Sequence, residues 1–130
     1  MRQSLFLVTL VVDDYDRARR HYCEALGFDC IRDDDFGDGK RWLVVRPPGG
    51  AGAGLLLAKA DGEAQKAAIG NQTGGRVGFF LETDDFDRDH ARMIAAGVAF
   101  REPPRSEPYG KVAVFTDLYG NDWDLIQHAV

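Results

Sequence analysis

The sequence predicts an α+β fold made of two β-α-β-β-β modules, and three observations carry the prediction. An apolar run, an acidic helix cap, an amphipathic helix and a glycine stop occur twice within 130 residues. The two copies share local sequence: Asp13-Asp14-Tyr15-Asp16-Arg17 answers to Asp84-Asp85-Phe86-Asp87-Arg88, an offset of 84 − 13 = 71 residues. Each helix is then followed by three strand-like segments separated by turn signals.

In the first copy, residues 5–12 are almost wholly apolar and rich in β-branched side chains, the pattern of a buried strand. Asp13 or Asp14 caps the helix that follows. Tyr15, Ala18, Tyr22, Ala25 and Leu26 recur at helical spacing and form its buried face, and Gly27 stops it. In the second copy residues 77–83 form the strand and Asp84 or Asp85 the cap. Phe86, Met93 and Ile94 form the apolar face, and Gly97 the stop, 97 − 27 = 70 residues after its counterpart. Strands at 28–32, 41–46 and 54–59 complete the first module, and strands at 98–101, 111–116 and 123–127 the second. Asp38-Gly39, Pro47-Pro48-Gly49-Gly50, Pro103-Pro104 and Tyr119-Gly120-Asn121 mark turns, and Asp33-Asp34-Asp35 reads as a solvated loop. This organises one domain, 1–130, into module one at about 4–60, a linker at about 61–75 and module two at about 76–128. Within the linker, residues 63–69 are good helix formers and predict a short helix.

Composition narrows the function classes. Lys and Arg number 16 against 21 Asp and Glu, a net charge of -5. That balance, without a basic cluster, argues against nucleic acid as partner, and no basic amphipathic helix points to a membrane surface. The longest apolar runs fall far short of a membrane span, and residues 1–12 lead into Asp13-Asp14 without a small-residue cleavage site, so the expected location is the cytoplasm. Asn71-Gln72-Thr73 fits a glycosylation acceptor, which has no meaning without secretion. Cys23 and Cys30 form neither a Cys-x-x-Cys pair nor a disulfide framework and read as buried thiols without a catalytic role. Gly49-Gly50-Ala51-Gly52-Ala53-Gly54 leads into the strand Leu55-Leu56-Leu57 rather than a helix, which makes it a hairpin turn and not a phosphate cradle. His21, His90 and His128 read as solvated side chains, and Ser4 and Ser106 lack a base partner.

The most distinctive segments are Val11-Val12-Asp13-Asp14-Tyr15-Asp16-Arg17-Ala18 with Tyr22 and Leu26-Gly27-Phe28, and Phe115-Thr116-Asp117-Leu118-Tyr119-Gly120-Asn121 with Trp123-Asp124-Leu125. Together with the paired modules, they make residues 5–127 resemble the vicinal oxygen chelate superfamily, the group of glyoxalases, bleomycin-resistance proteins and ring-cleaving dioxygenases. The resemblance implies two modules curled into a mixed-sheet cup, helices outside, and a metal held from the first and fourth strands of each module. Carried over one position at a time, the metal-ligand positions are Leu7, Leu56, Gly78 and Asp124. Glyoxalase-like members hold His, Gln or Glu there; here only Asp124 is a donor. Glu82 is four residues from Gly78, about 13 Å along a strand, and does not replace it. The expectation is therefore no cofactor, with a divalent metal as the alternative.

The resemblance and strand alternation give the expected cup lining: Leu7, Trp42, Arg46, Leu56, Gly78, Phe80, Glu82, Tyr109, Asp124 and Ile126. Trp42 serves equally well as core packing, and alternation sends Trp123 toward the helices. Asp124 is either an anion that meets a ligand or acts as a base, or a carboxylate satisfied by backbone or an arginine. Asp124 and Glu82 are the catalytic candidates if there is catalysis. Three functions remain open: a metal-free binder of a small, moderately apolar organic molecule; an enzyme of the glyoxalase type (lactoylglutathione lyase-like) or another metal-dependent member; and an interaction module whose cup is filled by its own side chains. The resemblance also implies a homodimer.

Overall fold

Asp14 shows how the chain turns from strand to helix. Strand β1, Leu7–Val12, ends two residues before it, and its carboxylate accepts the Arg17 N–H at 2.9 Å, satisfying a free donor of the first helical turn. Helix α1, Tyr15–Arg20, follows and runs directly into a π-helical turn, His21–Ala25, before Gly27 reverses the chain at φ 80. Asp85 repeats the device in the second copy: it accepts the Arg88 N–H at 3.1 Å and opens the ten-residue helix α3, Phe86–Ala95, and Gly97 follows at φ 88.

The computed structural model describes all residues, Met1–Val130, in two compact units, Met1–Ile69 and Gly70–Val130. In the first unit β1 pairs in parallel with β4, Gly54–Lys59, which pairs antiparallel with β3, Lys40–Arg46, and that with β2, Asp29–Gly37. The strand order is β1-β4-β3-β2. One face of this sheet holds Leu10, Val12, Leu43, Val45 and Leu57, which are buried with Ala18, Tyr22 and Leu26 of the helical segment. A short helix α2, Glu63–Ala68, completes the unit.

The second unit repeats the plan. Strand β5, Phe79–Glu82, pairs in parallel with β9, Asp122–His128. β9 pairs antiparallel with β8, Gly110–Thr116, and β8 with both β6, Ala99–Phe100, and β7, Arg105–Glu107. Its helix-side core is aromatic. Phe79 stacks on Trp123 with centroids 4.7 Å apart, Trp123 on Phe115 at 5.7 Å, and Phe115 packs on Phe100 at 5.6 Å. The fold is thus α+β, two mixed sheets with few helices.

Four expectations need correction. Asp33, Asp34 and Asp35 are strand residues of β2, not a loop. Arg41 places Nε and one terminal nitrogen on the two oxygens of Asp33, at 3.0 and 2.7 Å, and Arg19 of α1 bonds the same carboxylate. Arg32 pairs with Asp34, so two of the three consecutive carboxylates are answered by arginines. Ile94 is half exposed, whereas Phe86 and Met93 are buried. His90 is not simply solvated: it is half-buried, stacked on Phe86 at 5.4 Å and tilted against Phe100 at 4.5 Å. Cys23 and Cys30 are only half-buried, and burial pushes the Cys23 thiol up. Strand β7, which no apolar alternation announces, pairs with β8 and adds a hairpin to the expected strands.

Candidate functional site

Each unit presents one sheet face away from its helix, and strand register decides which side chains share it. In the first unit Thr9 pairs with Leu56, Leu56 with Val44, and Trp42 with Asp34. With alternation this puts Leu7, Thr9, Leu56, Val44, Trp42 and Arg46 on one face, opposite the buried Leu10, Leu43 and Val45. Four of the sequence-designated positions, Leu7, Trp42, Arg46 and Leu56, therefore lie together.

This face carries a groove of about 400 Å³ lined by Phe6, Ile31, Arg32, Phe36, Trp42 and Val44. Phe36, 65% exposed, stacks on Trp42 at 24° with centroids 6.5 Å apart. Trp42 and Phe36 also border a second hollow of about 660 Å³, whose lining includes Leu56, Ala58, Tyr15 and Gln65. At the far end of β3, Arg46 is half-buried with its Nε unpartnered, and its guanidinium lies beside Gly50. A β-carbon at Gly50 would come within 3.1 Å of it. Sequence reasoning missed Phe6, Ile31, Arg32, Phe36 and Val44. A signal existed: the Asp38-Gly39 turn pairs Gly37 with Lys40, and beyond a bulge at Phe36 the pairing continues with Asp35 on Arg41 and Asp34 on Trp42, which carries β2 through Phe36.

In the second unit Phe80 pairs with Asp124, Asp124 with Val114, Glu82 with Ile126, and Ile126 with Val112. These residues, with Gly78, lie opposite Phe79, Trp123, Leu125 and Phe115. Phe80 is 67% exposed, whereas Ile126 is buried. Glu82 meets His128 Nδ1 at 3.2 Å. Tyr109 sits apart, in the turn between β7 and β8, where its hydroxyl oxygen accepts a long bond, 3.4 Å, from Arg105. Asp124 is half-buried, and its Oδ1 is covered without a hydrogen-bond partner. Burial raises its proton affinity; Arg105 pulls in the opposite direction and Glu102 adds to the rise.

The four positions that the resemblance assigns to metal ligands do not fit a metal. Leu7 and Leu56 offer hydrocarbon. Gly78 lacks a side chain, and one cannot be added in place: its β-carbon would lie 2.6 Å from Thr73 Cγ2. Thr73 in turn is held by its hydroxyl, which donates to the Arg76 carbonyl at 2.6 Å. Asp124 alone remains, well short of the donor set an open catalytic site requires.

The loop Asp117-Leu118-Tyr119-Gly120-Asn121, prominent in the sequence, is a self-satisfied turn. Buried Asp117 accepts N–H bonds from Tyr119 and Asn121, both at 2.9 Å, and the Asn121 side-chain amide at 2.8 Å. Its hydrogen bonds close the hairpin of β8 and β9.

Comparison with known proteins agrees with this architecture. The family described as Glyoxalase/Bleomycin resistance protein/Dioxygenase superfamily matches residues 4–125. An uncharacterized protein of Shewanella frigidimarina (strain NCIMB 400) is 53% identical over 128 residues, covering 98% of this chain and 95% of that protein. The crystal structure of UcmS2 superposes with a TM-score of 0.83 at 32% identity, covering 97% of this chain and 98% of the other. That of TnmS3, an antibiotic binding protein from Streptomyces sp. CB03234, gives a TM-score of 0.78 at 33% identity, covering 98% of each. With repeated strand–cap–helix modules, two mixed sheets and a family match over nearly its whole length, this chain belongs to the glyoxalase/bleomycin resistance protein/dioxygenase superfamily.

Proposed function

We propose that this protein binds a small, moderately apolar organic molecule without a metal, and seats it in the groove of the first unit. The observation that carries the reading is the stacked pair Phe36–Trp42, largely open on the Phe36 side and set among Phe6, Ile31 and Val44, with Arg32 as the polar element. Aromatic walls with few polar groups suit flat or partly apolar ligands. The loss of donors at Leu7, Leu56 and Gly78 supports a metal-free mode. Similarity to TnmS3, an antibiotic binding protein, supports the same class of function.

One observation favours an enzymatic reading instead: the raised proton affinity of Asp124 is a property of a general base. The two readings separate in a thermal-shift screen of the whole chain against planar aromatic compounds, glutathione-like compounds, and zinc, nickel and manganese. A ligand that binds only the folded state raises the melting temperature by mass action. The binding reading expects a rise with an aromatic compound that Trp42→Ala abolishes. A rise with metal, or with glutathione compounds only when metal is present, favours a glyoxalase-type enzyme. Silence throughout favours an interaction module. We further propose a cytoplasmic homodimer, checked by whether light scattering returns twice the chain mass of 14.4 kDa.

A further inference from the structure

We propose that the ligand of the first-unit groove is an organic acid, with its ring against the Phe36–Trp42 pair and its carboxylate on the terminal nitrogens of Arg46. The proposal rests on the groove being a ligand site and names the class of ligand. Trp42, Val44 and Arg46 alternate along β3 and share the sheet face away from the helical segment. Val44 lines the groove with Trp42. Arg46 is the next side chain on that face, four residues from Trp42, about 13 Å along the strand.

What sets Arg46 apart is the lack of a counter-charge. Strands β2 and β3 carry three arginines. Arg41 pairs with Asp33 and Asp16, and Arg32 pairs with Asp34 through Nε and one terminal nitrogen. Arg46 is half-buried yet holds neither an ion pair nor a hydrogen bond. Asp29, its register partner on β2, is exposed and forms no ion pair with it. The Nε of Arg46 is shielded from solvent, so a ligand does not reach that atom. The terminal nitrogens have no partner either, and they are not shielded. One of them lies against the turn after β3, where a β-carbon at Gly50 would crowd it at 3.1 Å.

A guanidinium only donates, and its planar fork matches the two oxygens of a carboxylate. A half-buried charge without a partner is costly, and an anionic ligand relieves that cost. A cationic ligand would meet repulsion here, and a neutral one would leave the charge unanswered. Between ring and acid the sheet face carries hydrocarbon, the register partners Val44 and Leu56. A compound that joins an aromatic ring to an acid through an aliphatic spacer matches this order.

The test is a titration of the isotope-labelled whole chain by NMR with naphthylhexanoate, whose flexible chain separates ring from acid, and separately with the neutral naphthylhexanol. We expect the acid to bind wild type about tenfold more tightly than the alcohol. The Arg46 Nε resonance should shift with the acid only, and neither of these readouts needs a variant. Arg46→Gln should weaken the acid about tenfold, and Trp42→Ala should weaken both compounds. Equal binding of acid and alcohol, each weakened by Trp42→Ala, overturns the acid and leaves the groove standing. An unmoved Arg46 resonance, or a preference for the acid that survives Arg46→Gln, overturns the proposal as well. No binding of either compound up to its solubility limit overturns this proposal and the groove reading together.

Discussion

Asp33 offers the sharpest test of how the first unit is held together. Its two oxygens receive the fork of Arg41 and a further bond from Arg19, while the second terminal nitrogen of Arg41 reaches Asp16 on α1 at 2.7 Å. The guanidinium also lies over the Tyr15 ring, 5.2 Å from its centroid. One carboxylate thus ties β2, β3 and α1. The side chains of Asp33 and Arg41 are 18% and 22% exposed, so the pair is shielded far more than an ordinary surface pair. Asp33→Asn keeps one acceptor oxygen but removes the charge and half the fork. Loss of one charge-assisted bond and weakening of the others gives about 1–2 kcal/mol, and Asp33→Ala about 2–3 kcal/mol.

The pH dependence follows with a definite sign. Hydrogen bonds from Arg41, then those from Arg19, hold the Asp33 carboxyl below its ordinary value, against the opposing effect of burial. A depressed carboxyl contributes stability that is fully present above the unfolded value, about 3.9, and is lost as pH falls through the lower folded value. Urea unfolding of wild type and Asp33→Asn, followed by circular dichroism at a series of pH values, should therefore show a constant gap from pH 7 to about 5 and a shrinking one below about 4. A gap under about 0.5 kcal/mol at pH 7, or one that persists unchanged into acid, refutes the argument, because the carboxylate would then be no more than a screened surface charge.

Three further outcomes are expected. Asp117→Ala strands three donors in a buried turn and should lower stability by about 3 kcal/mol in urea unfolding, more than Asp33→Asn. Gly78→Ala pushes a methyl into Thr73 and should cost about 1–2 kcal/mol; most of that should return in the Thr73→Ser background, where the obstructing Cγ2 is gone, as a double-mutant cycle will read. Protein purified without an affinity tag should carry no stoichiometric zinc, nickel, iron or manganese by elemental analysis, and EDTA should leave its melting curve unchanged; about one metal per chain, lost together with stability, defeats the ligand-position argument.

The parts of the fold that the sequence disclosed are those written in local chemistry. Asp14 and Asp85 cap helices with their own side chains, Gly27 and Gly97 take the left-handed turn that stops them, and the apolar runs of β1 and β4 have no alternative to burial. What stayed hidden depends on partners far along the chain. Three consecutive aspartates look like loop because Asp is a poor strand former; they are strand because Arg41 and Arg19 neutralise Asp33 and Arg32 answers Asp34. That single misreading ended β2 at Arg32 and removed Phe36 from the sheet, and with it the ring that stacks on Trp42 in the groove. Strand β7 was lost for a similar reason: Arg105-Ser106-Glu107 follows two prolines and has no apolar alternation, yet pairs with Val112, Lys111 and Gly110.

The same division between local and distant causes explains how the family's fold stands with hydrocarbon at Leu7 and Leu56 and no side chain at Gly78. The residues that specify the architecture satisfy one another: Asp117 closes its own turn, Asp14 and Asp85 bond their own helices, and Phe79, Trp123 and Phe115 stack within one face. None of them lies on the open face of its sheet. Leu7, Leu56, Gly78 and Asp124 are on the faces away from the helices, and at Leu7, Leu56 and Asp124 a substitution touches neither cap nor aromatic stack. Hydrocarbon at Leu7 and Leu56 is therefore compatible with the fold. Gly78 marks how far this has gone. Thr73 now fills the space a ligand side chain would need, so restoring a histidine or glutamate at position 78 requires the preceding turn to move as well. A single substitution back to a donor at any one of these positions is therefore expected to leave the protein without a metal.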